Sequence, residues 1–147
     1  MADKKSLAKA LEVVLAETYA LYLKTQTYHW NVKGPHFYSY HAAFESQYKE
    51  LAEAVDTLAE RLRALSLPVP SSFTFFEKLS SIKTDVLPKD AEGMIKDLIQ
   101  AHESVVKSLY QLVKAAIEAS DVVSEDLATE RLTFHEKTLW MLRASEK

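Results

Sequence analysis

Four side chains of metal-ligand type lie at helical spacing within one stretch of the chain. His41 and Glu45 are four positions apart, and so are Asp56 and Glu60. Residues four apart in an α-helix stand one above the other on the same face. Imidazole and carboxylate groups together suit iron, zinc and similar divalent ions. The spacing therefore predicts a metal site on one helix face, although any single pair of this kind is also typical of a solvated surface.

A single helix cannot bring both pairs to one ion. Glu45 and Asp56 point the same way but are eleven residues apart, which is roughly 16 Å along a helix, whereas metal–ligand bonds are only about 2 Å long. The two pairs are placed symmetrically about the midpoint of the segment. An antiparallel copy of the helix would therefore set His41 opposite Glu60 and Glu45 opposite Asp56, and a two-fold interface would do this twice.

His29, at the end of the preceding predicted helix, is placed to supply a further ligand. We therefore expect a metal site shared by two subunits, with His29, His41 and Glu45 from one and Asp56 and Glu60 from the other. The Glu-x-x-His pair that builds di-iron sites inside a single four-helix bundle does not occur in this sequence. The symmetric set favours the shared site over a merely solvated face.

Other histidines and a tryptophan have open interpretations. Trp30 follows the first ligand in sequence, and it is predicted either to donate an electron and intercept radicals or to pack in an interface. His36 matches no ligand position and is predicted to lie near the site or on the surface. We expect His102 and His135, on later helices, to be core or surface residues.

Long helices must position these side chains, because the chain contains only 2 Gly and 4 Pro and so has few turn signals. Apolar residues recur at three- and four-residue steps in four segments, which predicts an all-α four-helix bundle formed by one domain, residues 1–147. A short helix is expected in the long second connection. Asp3 or Ser6, Ser71 or Ser72, and Ser124 are the predicted N-caps. The predicted helices are 3–33, 37–65, 73–79, 90–120 and 124–144. In the first of them, Lys4, Lys5, Lys9 and Lys24 are expected to be solvated.

Composition excludes several classes of protein. The 147 residues include no cysteine, which excludes disulfides, thiolate metal sites and a cysteine nucleophile. Net charge is −3, so the chain has no excess of positive charge that would favour binding to nucleic acid. No apolar run approaches the ~18 residues of a membrane span, and residues 1–30 do not resemble a signal peptide. We therefore expect a cytoplasmic protein with no membrane partner.

The segments that hold the ligands resemble the signature of the Dps family, the mini-ferritins. They are HWNVKGPHF (29–37), HAAFE (41–45) and DTLAER (56–61), and the similarity continues in SSFTFFEKLSSIK and FHEKTLWMLRA. The resemblance implies a ferritin-like subunit, twelve of which form a hollow shell with ferroxidase sites at two-fold interfaces. The family's metal ligands fall on the five residues named above, although many members have Asp where this chain has Glu45.

The implied function is oxidation of Fe(II) to Fe(III), preferably by hydrogen peroxide, with storage of ferric oxide inside the shell; zinc or another divalent ion is an alternative to iron. In the family, the region around the start of the fourth long helix lines three-fold pores through which Fe(II) enters. Helix capping and a solvated face explain the same acidic residues equally well. The residues concerned here are Asp121, Glu125, Asp126 and Glu130.

DNA binding, the family's namesake activity, is expected to be weak or absent. Members that coat DNA commonly carry a basic tail, whereas this chain has only Lys4, Lys5 and Lys9 near its start. Twelve copies at −3 each would carry −36, and phosphate contact needs positive charge. The rival functions are a DNA-compacting protein with a vestigial metal site and a store for another divalent ion.

Overall fold

Five α-helices and their connections make up the computed structural model, which describes residues 2–147. No strand occurs within that range, so the predicted all-α class is confirmed. None of the helices described is long and apolar enough to cross a membrane. The helices are α1 (Ala2–Asn31), α2 (Phe37–Ala64), α3 (Phe73–Leu79), α4 (Ala91–Glu118) and α5 (Val122–Ala144).

The four long helices pack as two hairpins, α1 with α2 and α4 with α5, joined through contacts between α1 and α4. The apolar stripes predicted from the sequence form one core, in which leucine dominates. Each fully buried leucine or phenylalanine side chain stabilises the fold by about 1.5–3 kcal/mol relative to an exposed one. The short helix α3 lies in the long second connection and packs on α1. Core residues of all four long helices include Leu11, Leu21, Phe44, Leu51, Leu109 and Leu132.

Helix starts were predicted less accurately than helix bodies. Ser72 is the N-cap of α3, as expected, and its hydroxyl accepts a hydrogen bond from the backbone of Phe75. However, α5 begins at Val122, and the side chain of Asp121 caps it by accepting from the Ser124 amide, so the prediction of Ser124 as N-cap was wrong. Ser120 has φ +54°, and this left-handed residue turns the chain soon enough for Asp121 to reach the cap position.

The first helix also begins earlier than expected. α1 starts at Ala2, so Asp3 and Ser6 lie inside the helix and neither is its N-cap. At its other end α1 stops at Asn31. Gly34 then has φ +120°, a backbone conformation that residues other than glycine rarely adopt. Pro35 follows and cannot extend the helix. This tight turn returns the chain antiparallel and sets the start of α2 beside the end of α1.

Lys24 contradicts the expectation that it would be solvated. Its side chain is 3% exposed, and its Nζ lies 2.6 Å from Asp97 Oδ2. The Tyr28 hydroxyl donates to the same carboxylate, and its pKa is raised by burial and by that hydrogen bond. The ammonium is buried because the carboxylate of α4 neutralises it. These contacts connect α1 to α4 within the last two turns of α1.

A buried polar layer crosses the bundle between α2, α4 and α5. Glu50 accepts a hydrogen bond from Arg131, whose other nitrogen lies 3.2 Å from His135 Nε2. His135 Nδ1 is 2.9 Å from His102 Nδ1. Because a guanidinium only donates, His135 Nε2 must accept and its Nδ1–H must donate to His102. Both histidines are therefore neutral core residues, which confirms one of the two predicted environments.

Protonation of this histidine pair is unfavourable in the folded state. Burial, with the nearby charge of Arg131, lowers the pKa of His102 to about 3. Burial, together with His102 and Arg131, lowers the pKa of His135 well below its usual value. The unfolded chain therefore binds more protons than the folded one once the pH falls below about 6.5, and folding stability decreases in that direction.

We predict that the free energy of unfolding falls by about 2 kcal/mol per subunit between pH 7 and pH 5.5 because of these two histidines. Urea unfolding at fixed protein concentration measures it. The double variant His102→Leu/His135→Leu should have a flatter pH dependence, and His36→Leu, at an exposed position, should retain the original one. An equal slope in the double variant would contradict the prediction.

Candidate metal centre

The turn between α1 and α2 brings His29 and His41 into direct contact. Their rings stack with centroids 3.8 Å apart and an interplanar angle of 12°. The Nδ1 atom of His29 lies 2.8 Å from the backbone oxygen of His41, and Nδ1 of His41 lies 2.8 Å from the backbone oxygen of His29. Each imidazole is therefore held by the main chain of the other helix.

These two hydrogen bonds determine the tautomer of each ring. A carbonyl oxygen only accepts, so each Nδ1 must carry its proton and donate it. In the neutral imidazole the proton-free nitrogen is then Nε2, whose lone pair is available to a metal ion. Such support of a ligand histidine through its other nitrogen is typical of metal centres, because it fixes the ring and makes it a better ligand.

Glu45 completes a cluster of three ligand-type side chains with His29 and His41. One ligand atom from each lies within 4.8 Å of the others, and Glu45 Oε1 is 3.8 Å from His29 Nε2. Two ligands of one ion are at most about 4.4 Å apart when the bonds are about 2.0–2.2 Å long. The cluster therefore needs to close by only a few tenths of an ångström to bind an ion. We call these three residues the metal half-site.

Asp56 and Glu60 are not part of the half-site. Both lie further along α2 and both are exposed. A hydrogen bond to Asp56, and the negative charge of that carboxylate, raise the pKa of Glu60 above its usual value. Two carboxylates that repel each other on an open helix face are suited to share a cation. Within one subunit, therefore, three of the five predicted ligands meet and the other two form a separate acidic pair.

Known proteins resemble the chain along almost its whole length. Residues 8–145 match the ferritin-like domain family. DNA protection during starvation protein 2 of Bacillus anthracis is 31% identical over 95% of this chain and 96% of its own. The DNA protection during starvation protein of Brevibacillus brevis is 32% identical, over 96% of this chain and 97% of its own length.

Solved Dps structures superimpose closely on the bundle. Dps from Staphylococcus aureus has a TM-score of 0.92 and 33% identity, covering 96% of this chain and 95% of its own. The Dps protein from Vibrio cholerae O1, described as a member of a superfamily of ferritin-like diiron-carboxylate proteins, has a TM-score of 0.92 and 31% identity, covering 97% and 90%. The chain belongs to the Dps family. The predicted family and the predicted ferritin-like bundle are both confirmed.

Lys49 is a neighbour of the Dps half-site that the sequence reasoning missed. Its Nζ lies 2.7 Å from Glu45 Oε2. This hydrogen bond, more than the charge alone, lowers the pKa of Glu45 and raises that of Lys49. The signal was present in the sequence, because Glu and Lys four positions apart in a helix form such pairs.

Asp121, one of the predicted pore residues, is engaged within the subunit. Both of its carboxylate oxygens accept from Arg61, at 2.7 and 2.9 Å. Partial burial alone would raise the pKa of Asp121, but the hydrogen bonds from Arg61 and Ser124 outweigh it and lower the pKa to about 2. Asp121 therefore caps α5 and connects it to α2. Of the other acids, Glu125 is half-buried, whereas Asp126 and Glu130 are exposed.

Trp30 and His36 lie on either side of the turn next to the half-site. The side chain of Trp30 is 62% exposed, although the adjacent His29 is buried. Packing within the subunit therefore does not explain this large aromatic ring. The predicted interface role needs such exposure in the isolated subunit, whereas the predicted role as electron donor does not depend on it. His36 is exposed as well and its ring contacts Tyr40 edge-on.

Proposed function

We propose that the protein is a ferroxidase and iron-storing mini-ferritin that oxidises Fe(II) at centres shared between two subunits. The observation that carries this proposal is the separation of the ligands. A preorganised half-site of two histidines and one carboxylate lies near the start of α2. An exposed acidic pair, Asp56 and Glu60, lies on the same helix. Neither group alone forms a full coordination shell for iron, and an antiparallel mate of α2 joins them.

Assembly is therefore part of the proposed chemistry. A two-fold pair of subunits makes two such centres, and we propose that six such pairs form the dodecameric shell implied by the resemblance to the family. Carboxylates left unpaired in an interface would cost several kcal/mol each, and a bound cation removes that cost. The shell would enclose the ferric oxide, and the acidic region around the start of α5 would admit Fe(II). Lack of cysteine suits the reducing cytoplasm.

The chemistry needs mixed nitrogen and oxygen ligands that tolerate both oxidation states of iron. Two Fe(II) ions give two electrons to one hydrogen peroxide molecule, which with two protons leaves as two water molecules, so no hydroxyl radical is released. His29 and His41 bind through neutral Nε2 atoms, and the three carboxylates stabilise the higher charge of Fe(III). Trp30, exposed beside His29, would supply an electron to intercept stray radicals.

We predict that anaerobic loading with Fe(II), followed by stoichiometric peroxide, gives a rapid rise of ferric absorbance. His41→Ala and Asp56→Ala should each slow this rise at least about tenfold, because each removes a direct ligand from every centre. The matched control is His36→Ala, which removes a nearby histidine that the half-site does not use.

Two outcomes would contradict the ferroxidase proposal. One is an absence of peroxide-dependent oxidation in the unmodified protein, which would favour storage of zinc or another divalent ion. The other is an unchanged rate in His41→Ala and Asp56→Ala, which would place the oxidation elsewhere in the shell. Size-exclusion chromatography of each variant separates a lost ligand from a lost assembly.

DNA compaction is the second candidate function, because the relatives from Bacillus anthracis and Brevibacillus brevis are named for DNA protection. Charge argues against tight binding. The chain carries −3, and its basic residues near the N-terminus are few: Lys4, Lys5 and Lys9. Twelve copies of that short segment in one shell could still bind together through avidity.

We predict weak or absent DNA binding at neutral pH and physiological salt. In a gel-shift assay any retardation seen at low salt should disappear near 0.15 M salt, because few phosphate contacts are available and each is screened. A clear shift at both salt concentrations would favour the DNA-compacting function. A variant with Lys4, Lys5 and Lys9 replaced by Gln identifies whether the N-terminal segment causes any shift.

A further inference from the structure

Lys49 occupies one oxygen of the half-site carboxylate. Glu45 Oε1 faces His29 Nε2 at 3.8 Å, whereas Oε2 accepts from the Lys49 ammonium at 2.7 Å. The two oxygens of the same carboxylate therefore have different neighbours, the His29 imidazole on one side and the Lys49 ammonium on the other. Lys49 is otherwise exposed, and its ammonium donates to no other group among residues 2–147 in the hydrogen bonds observed.

The ammonium lies where a second ion would need an acceptor. A carboxylate that contacts two ions commonly gives one oxygen to each. With Oε2 held by Lys49, Glu45 offers only Oε1 to a metal, and a second divalent ion would have to displace a positive charge. Unlike charges attract and like charges repel most strongly where water is excluded, so assembly of the interface strengthens this competition.

We propose that Lys49 determines how many metal ions each centre holds, by competing with the second ion for Glu45. This inference rests on the proposed function, because it assumes that the half-site binds metal in the assembled protein. One ion then binds tightly, because it uses ligand atoms that Lys49 does not occupy. The second ion binds weakly because it must break the Glu45–Lys49 pair.

The long arm of glutamate matters for this pair. Glutamate and lysine four positions apart in a helix, with glutamate first, are well placed to meet. The long glutamate side chain places Oε2 within 2.7 Å of the Lys49 ammonium while Oε1 lies 3.8 Å from His29 Nε2.

The test is an anaerobic titration of the assembled protein with Co²⁺. Calorimetry and the visible absorption of bound cobalt each measure the binding. The unmodified protein should bind one equivalent per subunit tightly and a second weakly. In Lys49→Met the second equivalent should bind roughly five- to tenfold more tightly, with the first changed by less than about twofold. Lys49→Gln, a second neutral replacement, should behave in the same way.

Two control variants separate competition from a general effect of charge. Lys49→Arg keeps the cation and should retain the weak second step. Lys96 forms a similar exposed ion pair with Glu92, four residues earlier, with 3.6 Å between Lys96 Nζ and Glu92 Oε1. Lys96→Met removes that lysine and should leave both binding steps unchanged. Equal strengthening in Lys96→Met would overturn the proposal, because only the net charge would then matter.

Failure of the inference and failure of the proposed function give different results. If the unmodified protein binds cobalt, His41→Ala abolishes that binding and Lys49→Met changes nothing, Lys49 does not control occupancy and only the inference is overturned. If the unmodified protein binds no cobalt at all, the metal centre itself is absent and both are overturned. Two equally tight equivalents in the unmodified protein would also overturn the role of Lys49.

Discussion

The reciprocal hydrogen bonds between His29 and His41 are the interaction on which the metal centre depends. Each ring donates its Nδ1 proton to the backbone oxygen of the other residue, so the main chains of α1 and α2 fix both tautomers at once. The turn at Gly34 makes this possible, because its positive φ returns the chain within a few residues. The proton-free Nε2 atom of each ring is then fixed before any metal is bound, and that of His29 lies 3.8 Å from Glu45 Oε1, which reduces the reorganisation that binding requires.

Assembly and chemistry become a single requirement once the ligands are divided in this way. The half-site has too few ligands for a complete iron site, and Asp56 and Glu60 repel each other on an exposed face. In the proposed centre, a two-fold interface would bring nitrogen and oxygen ligands together and would give the carboxylates a cation to share. The subunit core supports this arrangement from behind, since Lys24 connects α1 to α4 and Arg61 connects α2 to Asp121 at the start of α5.

Much of the fold was predictable because apolar periodicity reports directly which helix face is buried. The four long helices and the short α3 were all predicted, with ends in error by only a few residues. Periodicity does not report which buried polar or charged side chain finds a partner on another helix. Lys24 was therefore expected in solvent, the His102–His135 contact was not foreseen, and Ser124 was expected as the N-cap of α5 where Asp121 is found. In the metal centre, spacing and family resemblance predicted five ligands, of which three meet in one subunit. The backbone carbonyls that orient the histidines have no sequence signal.

Mixing two inactive variants tests the division of the centre between subunits most directly. His41→Ala and Asp56→Ala are denatured together, reassembled in equal amounts and assayed for peroxide-dependent Fe(II) oxidation. Half of the two-fold pairs are then mixed, and in each mixed pair one of the two centres carries both native ligands, so activity should return to about a quarter of that of the unmodified protein. Activity no higher than that of either variant reassembled alone would contradict a shared centre.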